Sequence, residues 1–67
     1  MEKNNYKPIE FCGEIKHETN YAYLVFDGSN DVWIPKSQLQ ENPRQIGREN
    51  NWEFIIPEWL AKDKGII

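Results

Sequence analysis

A chain of 67 residues with 11 acidic and 8 basic side chains carries a formal charge of −3. That length fits one domain, and that charge argues against a duplex-DNA binder, which must neutralise phosphates. One cysteine and one histidine exclude an internal disulfide and a Cys/His zinc site.

A domain this short buries only about 60% of the surface its unfolded chain exposes. Its core must therefore come from apolar packing, and three Trp, three Tyr and three Phe supply the means. The start, Met1 to Asn5, is polar and shows no signal-peptide pattern. No apolar run approaches the roughly 20 residues that span a bilayer. With a lone thiol, the expectation is a reducing cytoplasm and no membrane contact.

Residues 1–8 read as a polar lead-in to a single domain covering 1–67. From Ile9 the pattern alternates: Ile9, Phe11, Gly13 and Ile15 share one face, and Glu10, Cys12, Glu14 and Lys16 the other, as in a half-buried strand. Gly13 stands where a side chain should pack, which predicts a bend or bulge. His17 to Asn20 reads as a turn. Tyr21 to Phe26 is apolar on both faces, the pattern of a central or doubly covered strand.

Asp27-Gly28-Ser29-Asn30 is dense turn chemistry, and Asp31 to Ile34 returns as a third strand to make a hairpin. A three-residue loop would set Phe26 against Val32 and Leu24 against Ile34, leaving Tyr23, Val25 and Trp33 on the other face. A two- or four-residue loop would pair Leu24 with Trp33. The first register keeps the aliphatic residues contiguous and is the one expected, although a slip of one residue reverses it.

Pro35 ends the third strand because it cannot donate to a ladder. Lys36 to Leu39 reads as a single 3₁₀ turn with Leu39 tucked inward. Residues 40–51 are polar, with Pro43 and Gly47, and read as a loop anchored by Ile46. Trp52, Phe54 and Ile56 alternate as a fourth strand. Pro57 then opens a short helix with Glu58 in its first turn, Lys62 and Lys64 in its last, and Gly65 at a left-handed C-terminal position with Ile66 folding back.

The expected fold is therefore β-rich (α+β). It is a small, strongly bent, four-stranded antiparallel sheet or partly open barrel with one short C-terminal helix. Trp59 and Leu60 are expected as the buried side of that helix.

No catalytic set emerges, and no enzyme or cofactor is expected. Cys12 and His17 lie about 16 Å apart along an extended strand, too far for a nucleophile and its base. Asp27, Asn30 and Asp31 do not match a calcium loop and are explained by turn formation. Trp52, Phe54, Phe11, Phe26 and Trp59 are assigned to the core by periodicity.

Tyr21, Tyr23 and Trp33 share a face on the expected register, with Lys36 beside them and Tyr6 in reach. These four, Tyr21, Tyr23, Trp33 and Lys36, are the candidate partner-binding residues. Such a face is a second side of the core if the sheet curls. Otherwise it is an interface for a larger protein, a homodimer contact, or a stacking platform for single-stranded nucleic acid with Lys36, Arg44 and Arg48 tracking the phosphates.

The run Ala22-Tyr23-Leu24-Val25, the string Val32-Trp33-Ile34-Pro35-Lys36-Ser37-Gln38 and the ending Pro57-Glu58-Trp59-Leu60-Ala61 with Lys64-Gly65 carry a resemblance. They resemble a group of small, uncharacterised bacterial and bacteriophage accessory proteins. The resemblance covers roughly residues 15 to 65, apart from the 40–51 loop. It brings no functional residues with it. It implies a phage or mobile-element setting and a non-enzymatic module that docks on, and inhibits, a host factor or defence component.

Overall fold

The computed structural model describes residues 7–67. Five strands and a helix follow in chain order: β1 (Pro8–Glu18), β2 (Ala22–Phe26), β3 (Asp31–Pro35), β4 (Arg44–Gln45), β5 (Trp52–Pro57) and α1 (Glu58–Asp63). A 3₁₀ turn at Lys36–Gln38 follows β3. The strands form one open antiparallel sheet in the order β3-β2-β1-β5-β4. Most of the expected lead-in, and Tyr6, lie outside the described residues.

The sheet has five strands where the sequence pattern predicts four. The extra strand, β4, lies inside the 40–51 segment and sets Arg44 opposite Glu53 and Gln45 opposite Trp52. Two polar residues are too short a run to carry a period-2 signal. Ile46, expected as an anchor for this segment, is instead 38% exposed.

β1 organises the sheet by serving two partners in succession. Pro8 to Gly13 pair with β5, and Glu14 to Glu18 pair with β2. The exchange falls at Gly13, which is buried. A Cβ there would stand 2.6 Å from both the Phe26 carbonyl oxygen and the Val25 Cγ1. The glycine is thus required by close approach of the β2 backbone.

The irregularity expected at Gly13 falls further along β1, as a bulge at Lys16. Ile15 pairs with Val25 but His17 pairs with Leu24, so Lys16 is the extra residue. The bulge resets the alternation. Ile15 faces the core, His17 faces outward with Leu24, and Glu18 returns to the inner side opposite Tyr23. β1 therefore continues through His17 and Glu18, which the sequence pattern assigns to a turn.

The β2–β3 register differs from the one expected. Leu24 pairs with Trp33, Val25 with Val32 and Tyr23 with Ile34. The loop is the four residues Asp27 to Asn30. Its form is set by the Asp27 carboxylate, which accepts the backbone N–H groups of Ser29 and Asn30 at 2.8 Å each. Asp27 N–H also donates to the Asn30 carbonyl at 3.0 Å. This Asx-type closure overrides the aliphatic-contiguity argument and moves every side chain of β3 to the opposite face.

The core is Val25, Val32, Ile34, Phe54, Ile56, Leu60 and Ala61, with Ile9, Phe11, Ile15, Tyr23, Leu39, Trp52 and Ile66 packed against it. The inner faces of the β2–β3 half and the β5 half meet there. Phe11 and Phe54, partners across the ladder, stack with centroids 5.1 Å apart. Tyr23 meets Phe54 edge-on at 6.2 Å.

Pro57 ends β5 and occupies the N-cap of α1. It pairs with Pro8 at the end of the ladder, where neither residue has an N–H to donate. The helix closes with Gly65 at φ 75°. Ile66 N–H donates to Ala61 O at 2.8 Å and Gly65 N–H to Lys62 O at 3.2 Å, the two bonds of a Schellman ending. Leu60 and Ala61 are buried as the helix face requires, but Trp59 is 58% exposed. Six helical residues leave one narrow stripe for the core, and Leu60, Ala61 and the returning Ile66 fill it.

Candidate functional site

The hairpin register separates the candidate residues. Side chains alternate across a strand, so Tyr23 joins Val25, Val32 and Ile34 on the inner face. Trp33 joins Ala22, Leu24 and Phe26 on the outer face. The expected cluster of Tyr21, Tyr23 and Trp33 on one side with Val25 does not form. Tyr23 belongs to the edge of the core, and Trp33 is 42% exposed on the far side of the sheet.

Tyr23 and Lys36 are together. The Lys36 ammonium lies 4.9 Å from the Tyr23 ring centroid and 2.6 Å from the Glu18 Oε2. The bulge in β1 is what turns Glu18 toward them. Tyr21, 82% exposed, extends the hairpin ladder by accepting the Lys36 N–H on its carbonyl at 2.8 Å. The preceding turn is held by the Thr19 hydroxyl, which accepts the N–H groups of Tyr21 and Ala22 at 3.1 and 3.0 Å.

The outer face carries an aromatic and apolar group that the sequence pattern divides between turn (His17), core (Phe26) and candidate contact face (Trp33). Trp33 sits opposite Leu24, with Phe26 two residues along. The His17 ring meets the Trp33 ring edge-on at 6.2 Å, and the Lys16 ammonium lies 5.4 Å from the Phe26 centroid. Helix α1 packs against β5 and β1 and inserts Leu60 and Ala61 into the core, so it covers the inner side and leaves this face open. The signal that would have located the group is the Asp27 turn, which fixes a four-residue loop and hence the register.

The other chemical candidates stay apart. Cys12 is exposed, and the ring contact of His17 is to Trp33. Among the described residues no group of three or more His, Cys, Asp or Glu is placed to hold a metal ion, and no helix is long and apolar enough to cross a membrane. The Asp27 carboxyl is held below its usual value by the Asn30 and Ser29 N–H bonds it accepts, a signature of turn closure rather than of chemistry. Of the basic residues offered for phosphate contact, Lys36 is engaged by Glu18 and Arg44 by Glu53, each at 2.6 Å.

Neither a protein-family model, nor a curated protein, nor a solved structure matches this chain. Function therefore has to be argued from the surface itself.

Proposed function

We propose that this chain is a small, non-enzymatic binding module that docks on a larger protein through the outer face of its β2–β3 hairpin. The observation that carries the reading is Trp33, 42% exposed and directly opposite Leu24, with the half-buried Phe26 and Ala22 continuing the same face. A rigid indole set among apolar neighbours on a regular strand pair is the usual anchor of a protein interface. Trp59 is more exposed, but among the described residues it stands alone, flanked by the Glu58–Lys62 pair and Asp63. A single surface aromatic among charges is ordinary.

The proposed setting is the one implied by the resemblance to phage and mobile-element accessory proteins. The partner would be a host factor or defence component in the cytoplasm, held and inhibited by the module. Tyr21, at the mouth of the hairpin, is the second residue offered to that partner.

A second reading is a single-strand nucleic-acid binder that stacks bases on the same indole. The ion pairs on Lys36 and Arg44 count against it, as does the net charge of −3. The two are separated by isolating partners with the wild-type chain and with Trp33→Ala side by side. A protein retained by the first and lost by the second supports the proposal. A partner held equally by both overturns it. A nucleic acid released by moderate salt transfers the assignment to the second reading.

A further inference from the structure

The inner side of the sheet holds a cleft that the outer-face reading does not use. Its volume is about 470 Å³, within the roughly 300–1,000 Å³ of ordinary ligand sites. Tyr23, Trp52, Ile15 and Pro43 form its walls, and Glu18, Asn42 and Asn50 its polar positions. It lies between Tyr23 of β2, Trp52 of β5 and the 42–43 segment, with Ile15 and Glu18 of β1 in its lining.

The wall on the β5 side is fixed. The Asn50 side chain acts as a missing strand residue for β1. Its Oδ1 accepts the Ile15 N–H at 3.3 Å, and its Nδ2 donates to the Ile15 carbonyl at 2.9 Å. The same Oδ1 accepts the Trp52 indole N–H at 2.8 Å. Asn50 and the polar edge of Trp52 are thereby committed, and Trp52 offers the cleft only its ring.

The groups left for an occupant include a carboxylate and an amide. Among the described residues, Glu18 Oε1 and the Asn42 side chain have no partner. Among the described residues Glu18 is the one carboxylate in the lining, and no basic side chain lines the cleft. Lys36 already shows what this corner accepts: an ammonium against the Tyr23 ring with Glu18 as counter-ion. Aromatic walls with one carboxylate and one amide acceptor suit a flat cation. Arginine combines ring stacking with a fork of donors for a carboxylate, which a lysine ammonium cannot match.

We propose that this cleft receives an arginine side chain from an extended segment of a partner protein, the guanidinium stacking on Tyr23 and Trp52 and donating to Glu18 Oε1 and the Asn42 amide oxygen. Lys36 is the internal competitor: it holds the other Glu18 oxygen and repels the incoming charge. The inference rests on the reading of the chain as a protein-docking module, but it uses a different face. Trp52 reports on the cleft and Trp33 on the outer surface, so the two fail separately.

The test is a titration of the wild-type chain with an acetylated, amidated peptide containing one arginine between glycines, followed by the indole and aromatic NMR signals. The control is the same peptide with citrulline, which keeps the shape and removes the charge. The expected result is a saturable shift at Trp52 and Tyr23 with Trp33 unmoved. Citrulline and Glu18→Gln should each weaken binding by about ten-fold, a factor worth about 1.4 kcal/mol. Lys36→Gln should tighten it. Equal binding of the citrulline peptide, shifts centred on Trp33, weaker binding by Lys36→Gln, or no saturable shift would each overturn the proposal. Because the citrulline comparison uses the unaltered protein, it stands even if a variant folds poorly.

Discussion

Tyr23 and Trp33 lie on opposite faces of the β2–β3 hairpin, because Tyr23 pairs with Ile34 and Trp33 with Leu24. One aromatic therefore serves the core and the other the surface. Tyr23→Ala should cost about 2 kcal/mol, below the roughly 3–5 kcal/mol of a fully buried aromatic, because its ring meets Phe54 on one side only. Trp33→Ala should change stability by less than about 1 kcal/mol. Urea denaturation followed by circular dichroism checks both, and a larger loss from Trp33→Ala than from Tyr23→Ala would reverse the assignment of faces.

Trp59 and Leu60 are adjacent in α1 but divide in the same way. Leu60 is 3% exposed and Trp59 58%. Leu60→Ala should cost about 2–5 kcal/mol, enough to unfold much of a domain this small. Trp59→Ala should be nearly silent, under about 1 kcal/mol. Comparison of the two melting curves is sufficient.

Gly13→Ala should destabilise by about 1–3 kcal/mol, the range for forcing atoms into a packed site. The added methyl would meet the Phe26 carbonyl, which is backbone and cannot rotate away, as well as Val25. Relief requires β2 to move off β1. Hydrogen exchange should show the loss first at Glu14 and Phe26, which pair beside the glycine.

How much of this was legible in the sequence follows from the length of each signal. β1, β2, β3 and β5 carry five or more residues; alternation marks β1 and β5, a continuous apolar run marks β2, and the turn before it marks β3. The helix and its glycine ending follow from Pro57 and Gly65. The hairpin register turned on one loop residue, and Asp27 decides it through two hydrogen bonds that no hydrophobic pattern encodes. The glycine pattern points to a bulge at Gly13 and not to its actual place at Lys16, where it sends His17 to Trp33 and Glu18 to Lys36. The candidate residues drawn from the hairpin are therefore divided between its two faces.

Asp27 also gives the fold a specific acid dependence. Its carboxyl is held below the ordinary 3.8, chiefly by the Asn30 N–H and then by that of Ser29. A folded value below the unfolded one means the charged form stabilises the turn. That contribution is fully present above the unfolded value and is lost as pH falls through the folded one. Asp27→Asn should therefore lie below wild type by a constant margin at neutral pH, with the margin closing below about pH 4. A margin that does not change with pH would show that the charge plays no part.

The outer face of the β2–β3 hairpin is the surface on which the proposed function depends, and site-specific photo-crosslinking in the cell tests it most directly. A photoreactive aromatic residue is placed in turn at Trp33, at Tyr23 and at Trp59. The account expects one discrete protein adduct from position 33, and none from position 59. An adduct at position 23 would report on the inner cleft and not on this face. An adduct from position 59 with none from position 33 would contradict the account and place the docking surface on the helix.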